Sequence, residues 1–150
     1  MSPQLPDDTR LGRVVLQVSD IERSIDYYWT VLGLRVLEQS GAQAELGVMG
    51  SSSIVSLVER PGAGPVPPGG ALGLYHFAIL LPDRPSLGRF LLHLAELGVR
   101  AGMSDHLVSE AIYLQDPDNL GIEIYADRPR SEWRVEQGQH GIRLSPSGPQ

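Results

Sequence analysis

Apolar and polar positions follow the same order twice along the chain. The first copy starts with a β-branched stretch at residues 11–18 (LGRVVLQV), which stops at Ser19 and Asp20. Either residue can cap a helix, and Gly33 is placed to end it. The apolar positions at helical spacing, which predict the core-facing stripe of this helix, are Ile21, Ile25, Trp29 and Leu32.

The second copy begins at residues 74–81 (LYHFAILL) and reaches a capping residue at Asp83. Pro85 lies near the first helical turn, where proline is tolerated, and Gly98 is placed to end the helix. The apolar positions at helical spacing are Leu87, Phe90, Leu91, Leu94 and Leu97.

Three strand-like stretches follow each predicted helix. They lie at 35–37, 44–48 and 53–58 in the first copy, and at 99–101, 111–114 and 121–125 in the second. Each half therefore has the order βαβββ. The chain is predicted to have an α+β fold made of two tandem βαβββ units.

Residues 11–133 of the 150 are predicted to form one domain, with unit one at 11–61, a Pro/Gly-rich linker at 62–73 and unit two at 74–129. A unit of this size buries little core alone, so the two units should pack together or exchange with a second chain. Residues 1–10 and 134–150 are predicted to be flexible ends, because they are rich in polar residues, Pro and Gly without apolar periodicity.

The two copies can be superposed on shared residues. Placing Asp20 over Asp83 puts Arg13 over His76, an offset of 63 residues. The Arg-Pro pairs at 60–61 and 128–129 align at an offset of 68, which puts Val55 over Glu123.

Composition narrows the chemistry. A net charge of −6, with basic residues scattered among acidic ones, argues against nucleic acid as a partner. No apolar run approaches the length of a membrane span, and the N-terminus lacks the features of a secretory signal, so a cytoplasmic location is expected. The chain has no cysteine, so a metal would have to be held by His and carboxylates.

Three motifs carry a resemblance to a known family: VSDIERSIDYYWTVLGLRVLE, GLYHFAILLPDR and SDHLVSEAIYLQDPDNLGIEIYADRPRSEW. The sequence resembles the vicinal oxygen chelate superfamily, which includes glyoxalase I, bleomycin-resistance proteins and extradiol dioxygenases. It is most similar to the first domain of catechol 2,3-dioxygenase-like proteins. The resemblance implies a curved mixed sheet around a cleft.

The resemblance also implies four cleft positions, which the repeat alignment assigns to Arg13, Val55, His76 and Glu123. Extradiol enzymes hold ferrous iron with two His and one Glu, so His76 and Glu123 are the predicted metal ligands, with manganese as an alternative ion. Arg and Val cannot donate a lone pair to a metal, so Arg13 and Val55 are assigned to substrate binding. The metal site is therefore predicted to be incomplete, and the metal can be absent.

Two further residues are assigned by the same resemblance. His106 lies seven residues before Tyr113, in a region that supplies a proton-handling His and a Tyr near the substrate in extradiol enzymes. We therefore predict His106 as the acid/base residue and Tyr113 as a hydrogen-bond donor. Residues 116–119 (DPDN) are interpreted as a structural turn.

Several functional hypotheses remain open. The first is a metal-dependent enzyme of the extradiol type acting on a small aromatic molecule. The second is a metal-free binding protein of the bleomycin-resistance type, in which Arg13 favours an anionic ligand group and His76 and Glu123 form a polar pair. In the third, the chain is a degenerate half of a larger system. A homodimer is expected.

Overall fold

The computed structural model describes residues 12–65, 67, 73–106, 108–129 and 131, together with the backbone of two strands at 134–138 and 141–145. The chain divides into two compact units, unit 1 at residues 1–64 and unit 2 at residues 65–150. Each unit contains one four-stranded mixed sheet and one helix, which confirms the predicted fold class. The predicted flexible N-terminus at 1–10 lies outside the described residues.

Unit 1 has the predicted βαβββ order. Its elements are β1 (Val14–Val18), α1 (Ile21–Thr30), β2 (Arg35–Ser40), β3 (Gln43–Gly47) and β4 (Ser53–Glu59). The strand order in its sheet is β1-β4-β3-β2, in which β1 runs parallel to β4 and the other neighbours are antiparallel.

Helix α1 begins and ends where the sequence predicts, but the residues that it buries against the sheet are not the predicted ones. The Asp20 carboxylate accepts a hydrogen bond from the Arg23 amide, and Gly33 adopts a left-handed φ of 72° just after the helix. The buried residues of α1 are Ile21, Ser24 and Tyr28. Trp29 is 48% exposed, so its predicted core position is wrong. The Arg35 guanidinium lies 4.6 Å from the centroid of the Trp29 ring, which stabilises the exposed indole.

Unit 2 repeats the arrangement. Its elements are β5 (His76–Leu80), α2 (Arg84–Glu96), β6 (Gly102–Asp105), β7 (Ser109–Gln115) and β8 (Gly121–Asp127). The strand order is β5-β8-β7-β6, with β5 parallel to β8. A separate two-stranded sheet is formed by β9 (Arg134–Gly138) and β10 (Gly141–Ser145).

Two segments of unit 2 differ from the sequence prediction. The stretch 99–101 is not a strand, because the Val99 amide donates to the Leu94 carbonyl at the helix end and β6 starts only at Gly102. The segment 134–150 is predicted to be a flexible tail, whereas the structure pairs β9 and β10 as antiparallel strands within it.

Within the described part of the chain, no helix is long and apolar enough to cross a membrane.

Candidate functional site

Side chains on β7 and β8 of unit 2 alternate between two environments. Ile122 and Ile124 are buried and lie on the side of the sheet covered by α2, whereas Glu123 between them points to the opposite face. The same alternation separates the buried Ile112 from Tyr113 on β7. We call the face that carries His76, Tyr113 and Glu123 the polar face of unit 2.

The two predicted metal ligands meet on this polar face. They come from neighbouring parallel strands, His76 from β5 and Glu123 from β8. The His76 Nε2 atom lies 3.5 Å from the Glu123 Oε2 atom, and the His76 side chain is 42% exposed whereas that of Glu123 is 17% exposed. The pair is therefore accessible from the His76 side and anchored on the Glu123 side.

Tyr113 links this pair to His106. Tyr113 lies directly opposite Glu123 across the β7-β8 ladder, and its hydroxyl donates a hydrogen bond of 3.2 Å to Glu123 Oε1. The His106 Nε2 atom lies 3.0 Å from the same hydroxyl. Because the Tyr113 hydroxyl donates its proton to Glu123, it is free to accept from His106 in the tautomer that carries the proton on Nε2. The structure thus brings all four predicted unit 2 site residues into one line of contacts.

The environment of Tyr113 keeps its hydroxyl protonated. Burial raises the pKa of Tyr113, and the negative charge of Glu123 and the hydrogen bond to that carboxylate raise it further. Tyr113 therefore remains a hydrogen-bond donor throughout the neutral and mildly alkaline range.

His106 directly follows β6 and is bonded to the start of β7. Its amide donates to the Ser109 carbonyl at 2.8 Å. The Arg128 guanidinium donates to Asp105 at 2.6 Å and to Glu110 at 3.1 Å, so one cation joins the two strand ends that flank the turn. Glu110 also accepts from Arg84 of α2, at 2.7 Å.

Unit 1 carries a different polar cluster around Glu45, which sequence reasoning missed. The Glu45 carboxylate accepts hydrogen bonds from Ser53 at 2.5 Å and Ser56 at 2.8 Å, and it lies 3.5 Å from an Arg13 guanidinium nitrogen. The two serine hydrogen bonds, with a smaller contribution from Arg13, hold the pKa of Glu45 below its usual value. Its alternation with the apolar Ala44 and Leu46 was the signal that could have found it.

Strand pairing corrects the predicted repeat register in β4. When Arg13 is aligned with His76, Val15 is aligned with Ala78. The residue that pairs with Val15 is Ser56, and the residue that pairs with Ala78 is Glu123. Ser56 is therefore the counterpart of Glu123, and the predicted counterpart Val55 is off by one.

The burial of Val55 agrees with this corrected register. Val55 is fully buried with Leu57 in the interior of unit 1 and points away from the face that carries Glu45 and Ser56. In the corrected register Arg60 aligns with Asp127, so the second Arg-Pro pair stands one residue further along its unit than the first, and aligning the two pairs displaced Val55 onto Glu123.

The residues present fit only part of the predicted metal site. Ligand atoms about 2.1 Å from one ion, at a right angle, lie roughly 3 Å apart, so the His76–Glu123 pair needs only a small shift to share an ion. Among the described residues, however, no three His, Cys, Asp or Glu side chains are grouped so that they could hold a metal. The Arg13 guanidinium cannot coordinate one. The described residues therefore bring two candidate ligands together, His76 and Glu123, and the incomplete metal site stays a prediction.

A separate concavity of about 710 Å³ lies between α2 and the strands β6 and β7. Its apolar lining includes Leu87, Leu91, Met103 and Ile112, and Arg84 and Glu110 also line it. Ile112 points away from Tyr113, so this concavity lies on the helix side of the sheet and does not include His76 or Glu123.

Comparison with characterised proteins identifies relatives over most of the chain. It is 49% identical over 131 residues to a catechol-2,3-dioxygenase of Bacillus subtilis, covering 87% of this chain and 46% of that protein. It is 29% identical over 134 residues to biphenyl-2,3-diol 1,2-dioxygenase 3 of Rhodococcus globerulus, covering 88% of this chain and 70% of that protein. The chain thus spans about half the length of the Bacillus protein.

Solved structures show the same fold at low sequence identity. A glyoxylase/bleomycin resistance protein/dioxygenase domain from Frankia sp. EAN1pec matches with a TM-score of 0.69 at 21% identity, covering 81% of this chain and 94% of that one. A glyoxalase/dioxygenase from Nostoc punctiforme matches with a TM-score of 0.65 at 23% identity, covering 85% and 98%. Residues 10–124 also match a family model. The chain therefore belongs to the Glyoxalase/Bleomycin resistance protein/Dioxygenase superfamily, as its motifs predicted.

Proposed function

We propose that this chain is an extradiol-dioxygenase-type protein whose unit 2 binds a small aromatic diol of the catechol class on its polar face. The observation that carries the proposal is the line of contacts from His106 through Tyr113 and Glu123 to His76. The names of the two characterised relatives support the ligand class, because both proteins are named for aromatic molecules with adjacent hydroxyls.

The four side chains match the hydrogen-bonding needs of a diol. The hydroxyls of a catechol donate protons, and the Glu123 carboxylate and a neutral His76 imidazole can accept them. Tyr113 fixes the orientation of Glu123 through its 3.2 Å hydrogen bond. His106, on the far side of Tyr113, is the residue proposed to take up or return a proton, since an imidazole ring can accept a proton at one nitrogen and donate one from the other.

His76 and Glu123 are also the residues proposed to hold a divalent metal, ferrous iron in the first instance or manganese. An ion bound there would supply the redox chemistry that the reaction of dioxygen with an aromatic ring requires. The third ligand would come from water, from the diol or from another chain, and a homodimer would provide such a chain. A cytoplasmic location belongs to the same proposal.

A second candidate function is metal-free binding of a small aromatic or anionic molecule. The observation that favours it is the Arg13–Glu45 ion pair in unit 1. Arg13 is the repeat counterpart of His76, so a permanently protonated guanidinium occupies a position where a metal-binding relative would need a ligand. In this candidate, Arg13 would attract anionic groups at unit 1, and His76 and Glu123 would bind ligand hydroxyls on unit 2 without a metal.

The test combines metal analysis, binding and oxygen uptake. The chain is loaded anaerobically with ferrous iron, desalted and analysed for bound iron; catechol binding is then measured by calorimetry and dioxygen uptake with an electrode. The variants are His76→Ala and Glu123→Gln, with His93→Ala on helix α2 as the matched histidine control.

Each outcome assigns one function. Stoichiometric iron and catechol-dependent oxygen uptake, both lost in His76→Ala and kept in His93→Ala, support the dioxygenase. Catechol binding that needs His76 and Glu123 without iron supports the metal-free candidate. If catechol binds neither with nor without iron, both candidates are wrong. Sedimentation of the same samples measures whether the chain is a dimer.

A further inference from the structure

Gly121 is the residue of β8 that lies directly opposite His76 in the parallel ladder. A β-carbon placed on Gly121 would lie 2.8 Å from the β-carbon of His76 and 3.0 Å from the carbonyl oxygen of Tyr75. Neither atom can rotate out of the way, because one is main chain and the other is attached to it. Any side chain at position 121 would therefore push β5 away from β8 at His76.

The backbone conformation of Gly121 does not explain why glycine is present. Gly121 is not among the described glycines with a positive φ, so its conformation is one that other residues adopt. The fold does not require glycine there either. By the corrected repeat register, the unit 1 counterpart of Gly121 is Ile54, the residue of β4 just before Val55, where the β1–β4 ladder begins. A βαβββ unit thus accepts a large β-branched residue at this position.

We propose that Gly121 is a positioning residue, whose missing side chain lets β5 approach β8 closely enough for His76 to contact Glu123. The 3.5 Å separation of His76 Nε2 and Glu123 Oε2 depends on this approach, since both side chains project from the same two strands within two residues of Gly121. Any effect of Gly121 on ligand binding rests on the proposed function. The effect of Gly121 on the contact between His76 and Glu123 does not.

The test is Gly121→Ala, with Gly102→Ala as the matched control. Gly102 pairs with Tyr113 in the same sheet, but a β-carbon there would lie at an ordinary distance of 3.6 Å from the Tyr113 β-carbon. The readout is the ¹⁵N resonance of His76 Nε2, followed by NMR with and without the additional substitution Glu123→Gln. This response reports the contact between the two side chains without any metal or diol.

In the native and Gly102→Ala backgrounds, Glu123→Gln is expected to shift the Nε2 resonance, and in Gly121→Ala this response is expected to be lost. An unchanged response in Gly121→Ala would overturn the proposal. The NMR test uses neither iron nor catechol. Its result is therefore independent of whether the chain binds either of them, and the proposed function can be wrong while the role of Gly121 is still confirmed or contradicted.

A stability cycle keeps the proposal testable if Gly121→Ala folds poorly. His76→Gly removes the β-carbon that a side chain at 121 would strike. Gly121→Ala should therefore lower the urea midpoint less in the His76→Gly background than in the native background, which gives a coupling between the two sites. If Gly121→Ala lowers the urea midpoint equally in the two backgrounds, or prevents folding in both, the clash is with the Tyr75 carbonyl. Either result would contradict the proposal that Gly121 positions His76.

Discussion

The His106 Nε2 atom lies 3.0 Å from the Tyr113 hydroxyl, although seven residues separate the two in the chain. In the β6–β7 ladder Tyr113 is paired with Gly102, whereas the His106 amide is bonded to the Ser109 carbonyl at the start of β7, so the two side chains meet by reaching toward each other along the sheet. A helix would also bring residues seven apart onto one face, so the spacing alone did not define this contact.

Tyr113→Phe should weaken catechol binding about tenfold, because it removes one hydrogen bond to a charged group. Calorimetry measures the loss, and Tyr125→Phe, on the neighbouring strand, is the control. An unchanged dissociation constant in Tyr113→Phe would show that the diol does not depend on this tyrosine.

The raised pKa of Tyr113 predicts a loss of stability in alkali. In the unfolded chain Tyr113 ionises near its ordinary pKa of 10.0, and in the folded chain it ionises at higher pH. The stability that the protonated hydroxyl contributes is therefore complete below pH 10 and falls as pH rises through the folded-state pKa. Urea unfolding of the native chain and of Tyr113→Phe across this range measures the effect, which should be smaller in the variant.

The lowered pKa of Glu45 predicts the opposite dependence in acid. Glu45 has an ordinary pKa of 4.5, and the ionised carboxylate is favoured in the folded chain. The stability from this cluster should be complete above pH 4.5 and lost as pH falls through the lower folded-state pKa. In urea unfolding, Glu45→Gln should reduce the loss of unfolding free energy as pH falls below 4.5, which we call the acid limb. Glu38→Gln, at an exposed position of β2, should leave the acid limb unchanged. A native-like acid limb in Glu45→Gln would contradict the prediction.

Val55→Ala separates a core role from a ligand-binding role. Because Val55 is fully buried, its truncation should lower the free energy of unfolding by about 2 kcal/mol. Its side chain points away from the face that carries Glu45. The folded variant should therefore bind its ligand with the same affinity as the folded native chain. Urea unfolding and calorimetry on the same sample decide between the roles, and a loss of affinity without a loss of stability would restore the substrate-binding role predicted from the sequence.

Arg128→Met should loosen the turn that carries His106. Removing this cation leaves Asp105 and Glu110 without the link between them and should cost about 1 to 2 kcal/mol, because partial exposure reduces the cost of breaking the ion pairs. Hydrogen exchange of the His106 amide, which is bonded to the Ser109 carbonyl, should become faster. Arg60→Met is the control, since Arg60 belongs to the corresponding Arg-Pro pair and contacts Gln17 in unit 1. Equal protection of His106 in both variants would contradict a role for Arg128.

The residue pattern by itself determined the two βαβββ units and both helix caps, and the resemblance to the superfamily then named His76 and Glu123 as cleft residues. These features are local: Asp20 and Asp83 cap the helices that follow them, and alternation places side chains on one face of a strand. The motifs then identified the superfamily, because long segments such as GLYHFAILLPDR retain the spacing of both core and site residues.

Tertiary structure decided which residues face each other. The register of β4 against β1 is a long-range pairing, so Ser56 replaced Val55 as the counterpart of Glu123 only when the ladder was known. Tyr28 replaced Trp29 in the core because the angle at which α1 packs on the sheet selects the stripe that is buried. The Glu45 cluster, the Arg128 ion pairs and the close approach at Gly121 join residues from different strands, and no local pattern records such distances.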